Sequence, residues 1–267
     1  MSGTLPVKTI ASRENPLLVR LRQLAADPAA YRKYGEVWIE GEHLCLAFAQ
    51  RGGSAAQAVI TEEAWQTPAL RALASTASSV AVISAALMAG LSTLESPAPL
   101  GFTLPWAGAA ELDFDAPSVV LDRLQDAGNV GNILRSASAF GFTQVVAIKG
   151  SAALWSPKVL RAGMGAHFAL RLVEIADDEV LAALRVPLLA ASSHAARALH
   201  EAPLPWPCAW VLGHEGQGVS AALLARCAES LRIPQPGGEE SLNVAAAAAV
   251  CLYESARQRH CAEGRPR

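Results

Sequence analysis

The sequence predicts an α/β protein whose larger part is a parallel sheet covered by helices on both faces. Two observations carry this: short, near-continuous apolar runs alternate with helical stretches, and glycine-rich loops follow two of those runs. A third, a segment dense in proline and glycine near residue 100, divides the chain in two. With 267 residues, 52% of them hydrophobic and 17% charged, the chain has ample material for a core.

The N-terminal part reads as a small α/β module. Asn15-Pro16 pairs a capping residue with a proline at the first helical position, and Leu17, Leu18, Leu21 and Leu24 supply one apolar face. Strands are expected over 36–40, 58–61 and 80–84, and helices over 41–51 and 62–75. Pro97, Pro99, Gly101, Pro105 and Gly108 then break both kinds of element. The expected division is an N-terminal domain over 1–100, a linker over 101–116 and a C-terminal domain over 117–267. In the last, strands are expected over 118–121, 144–148, 169–173, 187–191, 209–212 and 231–233. Helices are expected over 129–140, 157–163 and 177–184, and a long one from Leu242.

Cys45, Cys208, Cys227, Cys251 and Cys261 lack CxxC spacing, and the six histidines lack metal-ligand spacing. That argues against metal and against a disulfide scaffold, and fits a reducing cytoplasm. No signal peptide or membrane-spanning run is evident. The net charge of −2 hides a basic N-terminus, where Lys8, Arg13, Arg20, Arg22, Arg32 and Lys33 face only Glu14 and Asp27. Such a patch suits an anionic partner, and a solvated helix face equally well.

Three segments carry chemistry. In LDRLQDAGNVGNILRSASAFG, at 121–141, Val130, Ile133, Leu134, Ala137 and Phe140 share one helical face and Gly141 is a natural stop. Arg135 lies off that face, above Gly131 and Gly128, where a guanidinium can lean back toward an anion-attracting helix start. Spacing alone allows equally a surface arginine paired with Asp122 or Asp126. The second segment, LGHEGQGVS at 212–220, places Gly213, Gly216 and Gly218 after a strand, with Glu215 among them. Glu215 either orients Arg135 or is an exposed loop carboxylate, and His214 reads as a loop contact rather than a base. The third, IPQPGGEESLNV at 233–244, ends in Ser241-Leu242-Asn243; Ser241 reads first as a helix cap. Strand-to-helix loops of this kind are where open α/β sheets place ligands. No Walker A, GxSxG or HExxH motif is present.

In order and spacing, NVGNILRSASAFG, LGHEGQGVS and IPQPGGEESLNV resemble the three motifs of the SpoU (TrmH-like) RNA 2′-O-methyltransferases of the SPOUT superfamily. SRENP at 12–16 and Ile39-Glu40-Gly41 resemble that family's N-terminal RNA-binding module. The resemblance implies a C-terminal domain with a deep trefoil knot, S-adenosylmethionine as methyl donor, a ribose 2′-hydroxyl of tRNA or rRNA as acceptor, and a homodimer formed through the knotted domain. General topology rules count against a knot, so only the resemblance suggests it.

Carried onto matching positions, the resemblance implies catalytic roles for Asn129, Arg135, Glu215, Ser241 and Asn243. It implies cofactor binding by Leu212, Gly213, Gly218, Ile233, Pro234 and Leu242, and RNA contacts by Arg13, Arg20, Arg22 and Arg161. Gly163 replaces a common serine, Gln235 a usual methionine and Ala245 a usual serine. A non-catalytic RNA-binding or ribosome-assembly factor with the same fold is the alternative function, and the intact polar motif residues argue against it.

Overall fold

The computed structural model describes residues 5–237 and 242–264. The chain divides into two compact units: Met1–Gly108 with Trp155–Phe168, and Ala109–Leu154 with Ala169–Arg267. In the first unit, strand β1 is Val7–Ile10, helix α1 Pro16–Ala26, α2 Ala30–Tyr34, β2 Glu36–Glu40 and α3 Glu42–Gln50. They are followed by β3 at Gln57–Thr61, α4 at Glu62–Trp65, α5 at Pro68–Ala74, β4 at Val80–Ile83, α6 at Ala85–Ala89 and β5 at Leu100–Pro105. The sheet order is β1-β4-β3-β5-β2, with β5 antiparallel to both its neighbours. Helix α1 starts as its sequence requires: the Asn15 side chain accepts the Leu17 N–H at 3.0 Å, and the four leucines are buried.

Two expectations fail here for local reasons. The helix expected over 62–75 is two helices, because Pro68 offers no N–H and holds Thr67 extended, at φ −80° and ψ 116°. Part of the expected linker over 101–116 is strand β5 instead. Gly101 is needed inside that strand because the Trp38 indole lies across it and leaves no room for a Cβ, while Pro105 sits at the strand's end.

The second unit contains β6 at Ser118–Asp122, α7 at Ala127–Ala139 and β7 at Gln144–Ile148. The chain then passes into the first unit for Trp155–Phe168, which carries α8 at Pro157–Gly163. It returns for β8 at Arg171–Ile175, β9 at Leu188–Ala191, β10 at Arg197–Ala198, β11 at Ala209–Gly213, α9 at Ala221–Arg226, β12 at Glu229–Arg232 and α10 at Val244–Ala262. All seven strands are parallel, in the order β10-β12-β9-β11-β6-β7-β8. Residues of β6 and β7 are buried throughout, as the apolar runs predict. The strand expected over 169–173 lies two residues later, because Ala166–Ala169 forms a 3-10 turn, and the helix expected over 177–184 is a 3-10 turn at Glu179–Ala183.

Segment Trp155–Phe168 corrects the expected division, which kept it in the C-terminal domain. Helix α8 packs on α1 and β2. Gly163 is small for a packing reason, since any side chain there would meet the His167 ring.

Register positions the site. β11 pairs β6 with Leu212 opposite Leu121 and Gly213 opposite Asp122, so the loops leaving both strands emerge side by side. Helix α10 is pinned across the sheet by the buried Trp210, whose indole N–H donates to Ser255 Oγ at 2.9 Å. Among the described residues, no helix is long and apolar enough to cross a membrane and no cluster of His, Cys, Asp and Glu could hold a metal ion.

Candidate active site

Helix α7 begins two residues before its expected start, because the Asp126 carboxylate caps it by accepting the Asn129 N–H at 2.7 Å. The same first turn receives Glu215 from the loop after β11. The Glu215 carboxylate accepts the backbone N–H groups of Gln125 at 3.4 Å and Asp126 at 3.3 Å, and the Asn129 amide at 3.3 Å. Asn129 in turn accepts from the Asn243 side-chain amide at 3.0 Å. Asn243 also caps α10, its oxygen accepting from Ala245 N and Ala246 N. Three motif residues from three segments thus form one hydrogen-bonded chain.

Of the two readings left open for Glu215, the exposed loop carboxylate is the one the structure bears out. It makes no bond to Arg135 among the described residues and fills the anion position at the start of α7. Its partial burial, which alone would raise the carboxyl pKa, is outweighed by hydrogen bonds from its own backbone N–H, from the Asn129 amide and from the Asp126 and Gln125 N–H groups, so the pKa lies below its ordinary value.

A second acid fixes the base of the loop. Asp122 is 2% exposed and accepts from Arg123 Nε at 2.8 Å and Ser220 N at 2.7 Å. Burial pushes its pKa up, and these partners bring it below the usual value. Between Gly213 and Ser220 the chain folds back on itself, with Gly218 N–H donating to His214 O at 2.8 Å. His214 Nδ1 accepts from Gly216 N and Gln217 N, so the histidine is a loop contact, as expected. A Cβ on Gly213 would fall on the backbone of Gly218 and Val219, so only glycine permits this closure.

The loops after β9, β11 and β12 and the start of α10 line a half-open cavity of about 820 Å³. Leu212, Gly213, Gly218, Ile233 and Leu242, all expected at the cofactor site, line it, and so do Glu215 and Asn243. Pro234 is exposed and does not line it. Ser241 lies outside the described residues. Sequence reasoning missed Ser192, Ser193 and His194, which line the cavity from the loop after β9. Their signal was available: a polar Ser-Ser-His immediately follows an expected parallel strand.

Arg135 is exposed and lines a separate, shallow depression of about 570 Å³ with Asn132, Ser136, Asn243 and Ala246. It makes no ion pair among the described residues. Asp122 and Asp126, its two possible partners by spacing, are engaged by Arg123 and by the α7 cap. Asn243 belongs to both hollows. The expected RNA-binding residues all lie in the first unit. Arg13 is exposed, with its carbonyl accepting from Arg22, while Arg20 is tied to Glu36 at 2.9 Å. Arg161 sits half-buried on α8.

A parallel sheet whose carboxyl-end loops gather around a cavity, beside an exposed guanidinium, is the arrangement of an α/β ligand-binding domain. The SpoU rRNA Methylase family matches residues 116–253. A relative from Synechocystis sp., described as an uncharacterized tRNA/rRNA methyltransferase, is 32% identical over 97% of both chains. A 23S rRNA (guanosine-2′-O-)-methyltransferase from Bordetella pertussis is 34% identical over 53% of this chain, and the match covers 59% of that protein. A solved RNA 2′-O ribose methyltransferase is 32% identical, with a TM-score of 0.78 over 94% of this chain and 99% of that one. The SpoU methyltransferase AviRb from Streptomyces viridochromogenes, solved with AdoMet, is 23% identical and shares the fold, with a TM-score of 0.82 over 92% of this chain and 98% of that one. The chain belongs to the SpoU rRNA methylase family of RNA methyltransferases.

Proposed function

We propose that the protein transfers the methyl group of S-adenosylmethionine to a ribose 2′-hydroxyl of structured RNA, tRNA or rRNA. The observation that carries this is the placing of Asn243, one side on the half-open cavity and the other beside Arg135. The cavity suits the donor: its walls mix apolar side chains with turns of backbone, one of them closed against Gly213 where no side chain fits. Backbone groups at Gly213, Gly218, Ile233 and Leu242 would hold the donor, and Ser241 and Asn243 are read as catalytic. Bound there, S-adenosylmethionine supplies an electrophilic methyl carbon on a sulfonium centre.

Arg135 binds the phosphate of the target nucleotide and stabilises the developing 2′-oxyanion. A guanidinium does not give up its proton in this setting, so a phosphate oxygen or water takes the hydroxyl proton. The chain from Glu215 through Asn129 to Asn243 holds the two helix starts in register, and most of the acceleration comes from positioning. The first unit selects the RNA through Arg13, Arg22 and Arg161, with Arg20 released from Glu36 on binding.

The reading includes a deep trefoil knot in the second unit, supported by a sheet order that inserts β12 between β9 and β10. It also includes a cytoplasmic homodimer. Val250 and Tyr253 of α10, the latter 54% exposed, offer the face on which a second copy sits. Isothermal titration with S-adenosylmethionine tests the donor site, and mapping ribose methylation in RNA from cells lacking the protein tests the acceptor. One lost 2′-O-methyl mark is expected. Failure to bind the donor would make the chain a non-catalytic RNA-binding factor.

A further inference from the structure

Arg123, the residue after β6, is one of two non-glycine residues among those described whose φ is positive, at 60°. A side chain is strained in that conformation, and such strain persists only where the surroundings hold it. Three neighbours do so. Arg123 Nε donates to Asp122 Oδ1 at 2.8 Å and Nη2 to Oδ2 at 3.4 Å, a fork onto one carboxylate. Gly150, after β7, leaves space alongside, since a Cβ there would stand 3.2 Å from Arg123 Cγ. Arg123 Nη1 reaches Gln217 Oε1 at 3.5 Å. Successive residues of a strand point to opposite faces, so a fork between residues 122 and 123 needs the chain to turn where the strand ends. The positive φ supplies that turn.

Asp122 is buried, and a carboxylate out of water needs a partner for its charge. Its Oδ2 also accepts the Ser220 N–H at 2.7 Å, which fixes the end of the loop that begins at Gly213, opposite Asp122 in the sheet. Gly213, Gln217, Gly218 and Val219 of that loop line the cavity, and Arg123 does not. We propose that Arg123 is a positioning residue for the methyl donor, acting through Asp122 to hold the loop from Gly213 to Ser220 in the shape that walls the cavity. The proposal rests on the cavity being the donor site.

The test is calorimetric titration of the full chain, without RNA, with S-adenosylmethionine. Arg123→Ala should bind about tenfold more weakly than the unaltered protein. Arg123→Gly adopts the positive φ without strain and also lacks the guanidinium. It should melt higher than Arg123→Ala yet bind as weakly, and it serves if the alanine variant does not fold. Full affinity in Arg123→Gly would show that the turn alone matters, and the proposal would be wrong while the donor site stands. In an Asp122→Asn background, adding Arg123→Gly should weaken binding by less than about threefold, because the two residues act along one path. A further tenfold loss there would overturn the proposal. With total RNA from cells lacking the protein as acceptor, Arg123→Gly should raise the KM for S-adenosylmethionine about tenfold and leave kcat within about twofold. A fall in kcat at unchanged KM would overturn it as well. If the unaltered protein does not bind S-adenosylmethionine, the donor-site reading fails and takes this proposal with it.

Discussion

The two hollows that share Asn243 are built from different materials. The cavity is walled by turns: Gly213 against Gly218, the His214 ring holding two loop N–H groups, and Asp122 anchoring Ser220. The depression is walled by helix surface, with Asn132, Arg135, Ser136, Ala139 and Phe140 on one side and alanines of α10 on the other. Backbone turns fix a shape and tolerate little change in it. An exposed side chain on a helix adapts to a large, irregular partner. On the proposed reading, a small donor and a large acceptor are held by separate devices, and the bonds through Asn243 and Asn129 link the two.

The contrast breaks first at Gly213. Gly213→Ala places a methyl group on the backbone of Gly218 and Val219, and opening the turn should weaken S-adenosylmethionine binding by about two orders of magnitude. Titration that gives unchanged affinity would show that the turn does not shape the donor site. Next is Arg135→Lys, which keeps the charge and loses the planar fork. Turnover should fall about a hundredfold while donor affinity stays the same; near-normal turnover would refute the need for a guanidinium.

Val250→Asp with Tyr253→Asp should convert the dimer to a monomer in sedimentation, since both side chains are exposed on the proposed contact face. A smaller effect is expected from Glu215→Gln, a melting temperature lower by about 2 °C at neutral pH. Because the native Glu215 pKa lies below its ordinary value, its contribution is complete above about pH 4.3 and disappears as pH falls through the native value. The two proteins should therefore melt increasingly alike as the solution is acidified below that point. The smallest effect concerns the thiols. Burial pushes Cys208 and Cys251 up to about 12 and Cys227 to about 11, and raises Cys45 further still. At neutral pH, alkylation of the native protein should label the exposed Cys261 and leave the others.

Sequence reading reached the parts of this design that are local. The α7 segment, its apolar face and its stop at Gly141 follow from spacing within twenty residues. Two loops could be placed at strand ends from their glycines. Strand β5 was not legible, because a glycine that makes room for Trp38 looks the same in sequence as a glycine that breaks a strand. Nor was the partner of Glu215: the bond to Asn129 spans 86 positions and depends on β11 pairing β6 in one register. That Gln235 replaces a usual methionine came from the family resemblance, while its place in the cavity wall is a property of the packed chain.

Helix α8 belongs to the first unit although its residues come after β6, α7 and β7 of the second. During synthesis, the N-terminal half therefore cannot finish its fold until about residue 168 has left the ribosome, when part of the other half is already waiting. A fragment ending near Gly108 would expose the surface of α1 and β2 that α8 covers, and a fragment starting at Ala109 would carry a helix with nowhere to dock. The gene cannot be cut at one place into two self-sufficient proteins, so any attempt to graft the first unit onto another enzyme must bring both pieces of it.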